Sequence, residues 1–328
     1  MDSADIRRNL FDHHPLFTSS EVLITPPIQE LFIRIFRVIK LREPGCCITG
    51  PSGIGKTYAL NMVHDMLKAK MPKLVIYEHD AQNQQIPSIR AFFKHFLNTV
   101  SHNESKRGET YELRLRLTNR IIDDTRASGI DACVLFIDEA QAMSIQDFLF
   151  LKDVYNSLDR EGVKLITVMM GQQPDFQIIL DRLRSERRLD LMARFTMRHS
   201  PFRALSTLED LDIILNGIDT AIYPPETDWT WTQLFFPKAY ESGFRLRNEA
   251  KRFIEALNHS GDKGIGHQFP ARQCFLAIRA LILECSGLDA ENMRLPDNAW
   301  KNAIQYARID EARALIEGTA PKTIQVQT

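Results

Sequence analysis

The eight residues Gly50-Pro51-Ser52-Gly53-Ile54-Gly55-Lys56-Thr57 constrain this chain more than any other stretch. They fit the pattern GxxxxGK[ST], in which each fixed position has a physical task. Glycines allow backbone dihedrals that turn successive N–H groups toward an anion, and a helix starting where the loop ends adds its positive pole. Lys56 has the charge and reach for the outer phosphates of a nucleoside triphosphate such as ATP, and the Thr57 hydroxyl is a hard ligand for magnesium, Mg2+. Tyr58 follows as the next nucleotide-binding position. A bare match reads equally well as a glycine turn, so context decides. Here the apolar run Cys46-Cys47-Ile48-Thr49 precedes the loop, and Tyr58-Ala59-Leu60-Asn61-Met62-Val63 follows with helical spacing.

A second stretch completes the chemistry. Val134-Leu135-Phe136-Ile137 is an apolar strand that ends abruptly in Asp138-Glu139. Asp138 at the strand end is placed to hold the magnesium through its water shell, and Glu139 to polarise a water aimed at the γ-phosphorus. Alone, the acidic pair reads as a helix cap. Beside a phosphate loop it reads as the hydrolytic half of an ATP site, with Lys56 and Glu139 as catalytic residues.

The periodicities around these stretches give an α/β fold, a parallel sheet flanked by helices with a smaller helical domain behind it. Strands are expected at 46–49, 74–77, 132–137, 164–170 and near 195–199, and helices at 28–39, 87–99, 110–128, 144–160 and 174–190. After about residue 205 the strand pattern stops. Helical runs follow at 207–221, 236–242, 246–258, 269–285 and 297–316. The expected organisation is an N-terminal tail over 1–20, a P-loop core over 21–205, a helical lid and C-terminal helices over 206–317, and a flexible tail over 318–328. His13-His14 in the first segment are expected as solvated loop residues.

Composition narrows the setting. No apolar stretch approaches the ~20 residues of a bilayer span, and the first residues lack an apolar core, so a cytoplasmic protein with no membrane partner is expected. Cys46, Cys47, Cys133, Cys274 and Cys285 form no CxxC pair and read as reduced structural thiols. The formal net charge of −1 means that any nucleic-acid binding must come from local clusters of Lys and Arg.

The order of these motifs resembles that of AAA+ ATPases. That resemblance implies further roles. The polar residue at the end of the strand Met169-Met170-Gly171-Gln172 corresponds to sensor 1, making Gln172 the candidate; the other reading is a cap for the turn before Pro174. The arginine-rich segment 181–203 lies where such proteins carry an arginine finger for the neighbouring subunit's site. Arg194 matches the position best, with Arg187 and Arg188 as rivals, and a solvated basic face is the plainer alternative. Arg245 and Arg247, at a helix start in the lid, are the sensor 2 candidates.

Within AAA+ proteins the chain resembles the TnsC/TniB group of transposition regulators, including the short TnsC proteins of CRISPR-associated transposons. The carrying residues are Gly50 to Thr57, Val134 to Gln141, the segment Gly171-Gln172-Gln173-Pro174-Asp175-Phe176 and the lead-in His13-His14-Pro15-Leu16-Phe17. The resemblance implies a bacterial, DNA-associated ATPase. It implies assembly on double-stranded DNA as a homo-oligomeric ring or spiral of roughly six or seven subunits, bridging TniQ to the transposase TnsA/TnsB. Basic residues after the second strand then line the DNA channel, and Arg90, Lys94, Lys106 and Arg107 are available, although each also reads as an ordinary surface charge. A helicase loader or initiator is the alternative, but residues 206–328 show no strand pair suited to a wing. An ExeA-type ATPase is expected to carry a membrane or wall appendage, and a STAND switch a repeat array.

Overall fold

Five segments pair side by side, all parallel, in the order β2-β3-β4-β1-β5. They are β1 (Gly45–Gly50), β2 (Val75–Asp80), β3 (Ala132–Asp138), β4 (Lys164–Gln172) and β5 (His199–Pro201). The computed structural model describes residues 10–18, 23–82, 88–100, 108–260 and 268–317. β1 is buried along its whole length and β3 up to its last residue, as strands covered on both faces require.

The crossovers are α1 (Pro26–Lys40) leading into β1, α2 (Lys56–Lys70) after it, α3 (Ile89–Thr99) and α4 (Thr110–Ser128) between β2 and β3, α5 (Ile145–Arg160) before β4 and α6 (Asp175–Ser185) after it. Local chemistry sets their ends. Ser144 and Asp147 form a reciprocal capping box at the start of α5, and Gly129 takes a left-handed φ of 72° just past α4. The core on one side of the sheet gathers Phe93, Phe148, Phe176 and Phe195, all fully buried. Gly171 allows the end of β4 to lie against Phe176, since a Cβ there would come within 2.3 Å of the ring.

The chain divides into two units. One takes residues 28–203 apart from Gly53–Gly55; the other takes the described residues before 28, those from 204 onward, and Gly53–Gly55. The second unit is helical: α7 (Leu208–Thr220), α8 (Ala250–Ser260), α9 (Ala271–Cys285), α10 (Ala299–Tyr306) and α11 (Ile309–Glu317), with short turns at Trp231–Phe235 and Pro237–Glu241. Phe236, Phe253, Phe269 and Trp300 fill its core. Among the described residues no helix is long and apolar enough to cross a membrane. All five cysteines are free and buried.

Several expectations are corrected. The fifth strand does not lie near 195–199: residues Met192–Thr196 form a wide helical turn that drives Phe195 into the core, and β5 starts only at His199. The helix expected over 174–190 stops at Ser185, where the chain reverses through Arg187 at a φ of 53°. The run 297–316 is two helices, broken by Arg308 at a φ of 51°. The expected tail at 318–328 lies outside the described residues.

His14 is not solvated. Its ring is fully buried, edge-on to Trp231 and Tyr223 and tilted against Phe235, with centroids 4.6–4.8 Å apart. The Leu16 N–H donates to Nδ1 at 3.1 Å. Leu16 joins the helical core, and Phe11 and Phe17 pack on Phe235, so residues 10–18 are part of the second unit. Burial lowers the His14 pKa to about 4, whereas the unfolded value is near 6.5. Between those pH values the unfolded chain binds a proton that the folded chain refuses, so stability is full above the unfolded value and is lost as pH falls toward the folded one. The loss should reach about 3 kcal/mol across that window. Urea midpoints of the parent should therefore drop through this pH range more than those of His14→Phe; equal slopes would remove His14 as the cause.

Candidate nucleotide site

β1 and β4 end level, Gly50 beside Gln172, but their successors go opposite ways: from β1 the chain crosses to β2 at one edge, from β4 to β5 at the other. Such a divergence opens a crevice at the C-terminal ends of the two strands, where ligands of open α/β sheets bind. The loop Gly50 to Thr57 leaves β1 at that point. Gly53 and Gly55 take φ values of 75° and 99°, a region closed to most side chains, and α2 begins at Lys56. This is the geometry in which N–H groups and a helix N-terminus face an anion together.

Lys56 is buried to 7% exposure and its Nζ donates to the Pro51 carbonyl at 2.8 Å. Burial holds the ammonium below the usual lysine range, and the nearby carboxylates of Glu139 and Asp138 pull it back up. The Thr57 hydroxyl donates to Asp138 Oδ2 at 2.5 Å, and Asp138 Oδ1 accepts the Glu139 N–H at 2.8 Å. Thr57, Asp138 and Glu139 line a cavity of about 400 Å³ together with Asn61, Glu78 and Asp80.

The hydroxyl and carboxylate pair fits magnesium, a hard ion that takes one or two protein oxygens and completes its shell with phosphate and water. The described residues hold no cluster of three or more His, Cys, Asp or Glu side chains able to bind a metal on its own.

Glu139 sits in the left-handed region, φ 52° and ψ 36°, which is unusual for a residue with a side chain. Gln141 escaped assignment at the sequence level. Its Nε2 donates to the Glu139 carboxylate and its Oε1 accepts the Gln172 N–H at 2.8 Å. Gln172 thus enters the network through its backbone, and the neighbouring side chain, Gln173, donates to the buried Thr49 hydroxyl at 3.1 Å. The strand-end polar pattern pointed to this region, but which glutamine side chain faces β1 depends on pleat phase, which the apolar run leaves open.

Most arginines of the 181–203 segment are engaged. Arg182 pairs with Glu186, Arg184 with Asp181, Arg188 with Asp190, Arg198 with Glu43 and Arg203 with Glu30. Arg194 turns inward: it donates to the Asp190 carbonyl at 2.8 Å and to Asn156 Oδ1 at 3.3 Å, and lies over the Tyr155 ring. Arg187 is exposed and has no acidic partner among the described residues.

In the helical unit, Asp219 accepts the N–H groups of Leu246 and Arg247 and the Thr232 hydroxyl, fixing the turn that carries Arg245 and Arg247. Arg245 lies 3.5 Å over the Tyr240 ring and donates to the carbonyls of Tyr240 and Phe244. Arg247 pairs with Asp212 at 2.7 Å. Arg90 and Lys94 lie one turn apart on α3, Arg90 exposed and Lys94 half-buried; Lys106 and Arg107 lie outside the described residues.

Fold and site together define a P-loop ATPase. Residues 41–180 match the family model for an AAA domain. The structure is similar to the ORC2 protein of Aeropyrum pernix in its ADPNP-ADP complexes, with a TM-score of 0.53 and 13% identity over 90% of this chain and 72% of that one. It is also similar to Cdc6p from Pyrobaculum aerophilum, with a TM-score of 0.51 and 13% identity over 84% of this chain and 66% of that one. At such identity the likeness is one of fold. No curated protein matches the chain in sequence.

Proposed function

We propose that this chain is an ATP-driven switch that assembles on double-stranded DNA as a ring or spiral and regulates transposition, bridging a TniQ-type target-selection protein to a TnsA/TnsB transposase. The observation that carries the assembly is Arg187, an exposed arginine without an acidic partner among the described residues, in a segment where its neighbours are paired or turned inward. An arginine supplied by an adjacent copy neutralises charge on the transferring phosphoryl group. The transposition role rests on the sequence resemblance. Its Gly171 to Phe176 segment is the one whose glycine admits the Phe176 ring against the end of β4.

In the reaction, a water oxygen bonds to the γ-phosphorus as the bond to the bridging oxygen breaks. The bonding pair leaves on ADP, the water's proton passes to the Glu139 carboxylate, and ADP and inorganic phosphate result. Lys56 and the loop N–H groups hold the β and γ phosphates, while Gln172, Arg245 and Arg247 stand as candidate sensors. Thr57 and Asp138 would hold magnesium, which when bound would spread the phosphate charge. Arg90 and Lys94, with Lys106 and Arg107, supply phosphate contacts to DNA. One or two per copy suffice because the assembly multiplies them, which reconciles a net charge of −1 with DNA binding.

An initiator- or loader-type ATPase is the second reading, since the same fold serves it. Electron microscopy of the purified chain with duplex DNA, with and without a non-hydrolysable ATP analogue, tests the proposal. Nucleotide-dependent rings or spirals that capture a TniQ-type protein are expected. Monomers under every condition would sink the assembly, and rings that ignore TniQ but load a helicase would favour the second reading.

A further inference from the structure

Gln141 stands in the 3-10 turn Ala140–Ala142, immediately past the Asp138-Glu139 pair. Its amide has two ends, and its neighbours dictate which is which. The Gln172 N–H can only donate, so it must meet Oε1; an ionised carboxylate can only accept, so Glu139 must meet Nε2. The bridge therefore needs a donor and an acceptor about 2 Å apart at the end of a two-methylene stem. Glutamine supplies this, asparagine is a methylene short, and glutamate would set oxygen against oxygen.

The bridge acts on a strained residue. Left-handed backbone at a side-chain-bearing position persists only where the surroundings hold it. Glu139 is in that state, and its Oε2 is engaged by Gln141. Its other oxygen is then left to take the proton of the attacking water. Because Gln141 is anchored on the backbone of Gln172, the carboxylate is tied to the C-terminal end of β4, the neighbour of β1 in the sheet.

We propose that Gln141 is a positioning residue for hydrolysis, orienting the Glu139 carboxylate and coupling it to the end of β4. The inference rests on the reading of Glu139 as the group that takes the water's proton. Charge-assisted hydrogen bonds of this kind translate into a turnover change of about tenfold to a hundredfold.

Full-length Gln141→Leu, which keeps the shape and removes both ends of the bridge, is assayed for ATP turnover. Gln141→Met serves the same purpose should the leucine variant fail to fold. The expected result is a kcat lowered about tenfold to a hundredfold with KM changed less than about twofold, and partial recovery in Gln141→His, whose ring carries a donor and an acceptor. In a Glu139→Gln background, Gln141→Leu should produce little further fall, because the two residues act as a unit. An unchanged kcat, or the same fold-loss with and without Glu139, would overturn the proposal and leave Gln141 a structural residue. If Glu139→Gln itself leaves turnover intact, the reading of Glu139 fails first and the inference falls with it.

Discussion

Glu139→Gln is expected to keep nucleotide binding within about twofold of the parent while lowering ATP turnover by about a thousandfold, within the range for removing a general base. The substitution is nearly isosteric. The carbonyl oxygen of the introduced amide can still accept from Gln141, so the left-handed turn after β3 keeps its support. Lys56 loses one of its two carboxylate neighbours but keeps Asp138 and its bond to the Pro51 carbonyl. Thr57 and Asp138, the candidate magnesium pair, are untouched. What disappears is the capacity to take a proton. Titration with a fluorescent ATP analogue beside single-turnover phosphate release separates the two effects, and turnover within about threefold of the parent would remove Glu139 from the role. A binding-competent, hydrolysis-dead chain should also accumulate the proposed DNA-bound assembly.

The parts of this site that sequence revealed are those whose chemistry is local. Cys46 to Thr49, Ala132 to Ile137 and Leu165 to Met170 are apolar runs cut off by a glycine loop, a carboxylate pair and a glycine-glutamine turn, so strands and site edges coincide in the letters. What stayed hidden depends on partners far along the chain or on backbone state. His14 reads as polar surface, and only the rings of Tyr223, Trp231 and Phe235, some two hundred residues away, make it core. β5 is His199-Ser200-Pro201, without a β-branched residue and at the sheet edge, where short strands and proline are tolerated. The Arg308 break carries neither glycine nor proline. Gln141 was visible beside Glu139, but a two-residue spacing brings side chains together only because Glu139 turns left-handed.

The arginine question has the second large expected effect, and it separates two residues that the sequence left as rivals. Arg187→Ala should lower turnover of the assembled protein by about a thousandfold or more, the scale of a missing trans arginine, with unchanged folding and nucleotide binding. Arg194→Ala should instead weaken the fold by about 1–3 kcal/mol, because it strips the Asp190 carbonyl and Asn156 of a partly buried donor and uncovers the Tyr155 ring. Melting temperature and turnover, measured on both variants, read the two effects independently. Subunit mixing makes the trans assignment direct. An Arg187→Ala copy keeps Glu139, and a Glu139→Gln copy keeps Arg187, so wherever the second donates its arginine to the first a complete site forms. An equal mixture of two inactive proteins should recover about a quarter of parental turnover per site if copies assort at random in a head-to-tail ring. Recovery cannot occur if the arginine acts within its own subunit. A silent Arg187→Ala beside an Arg194→Ala that loses turnover at parental melting temperature would return the finger to Arg194, and with it require Arg194 to leave Asp190 and Asn156 on assembly.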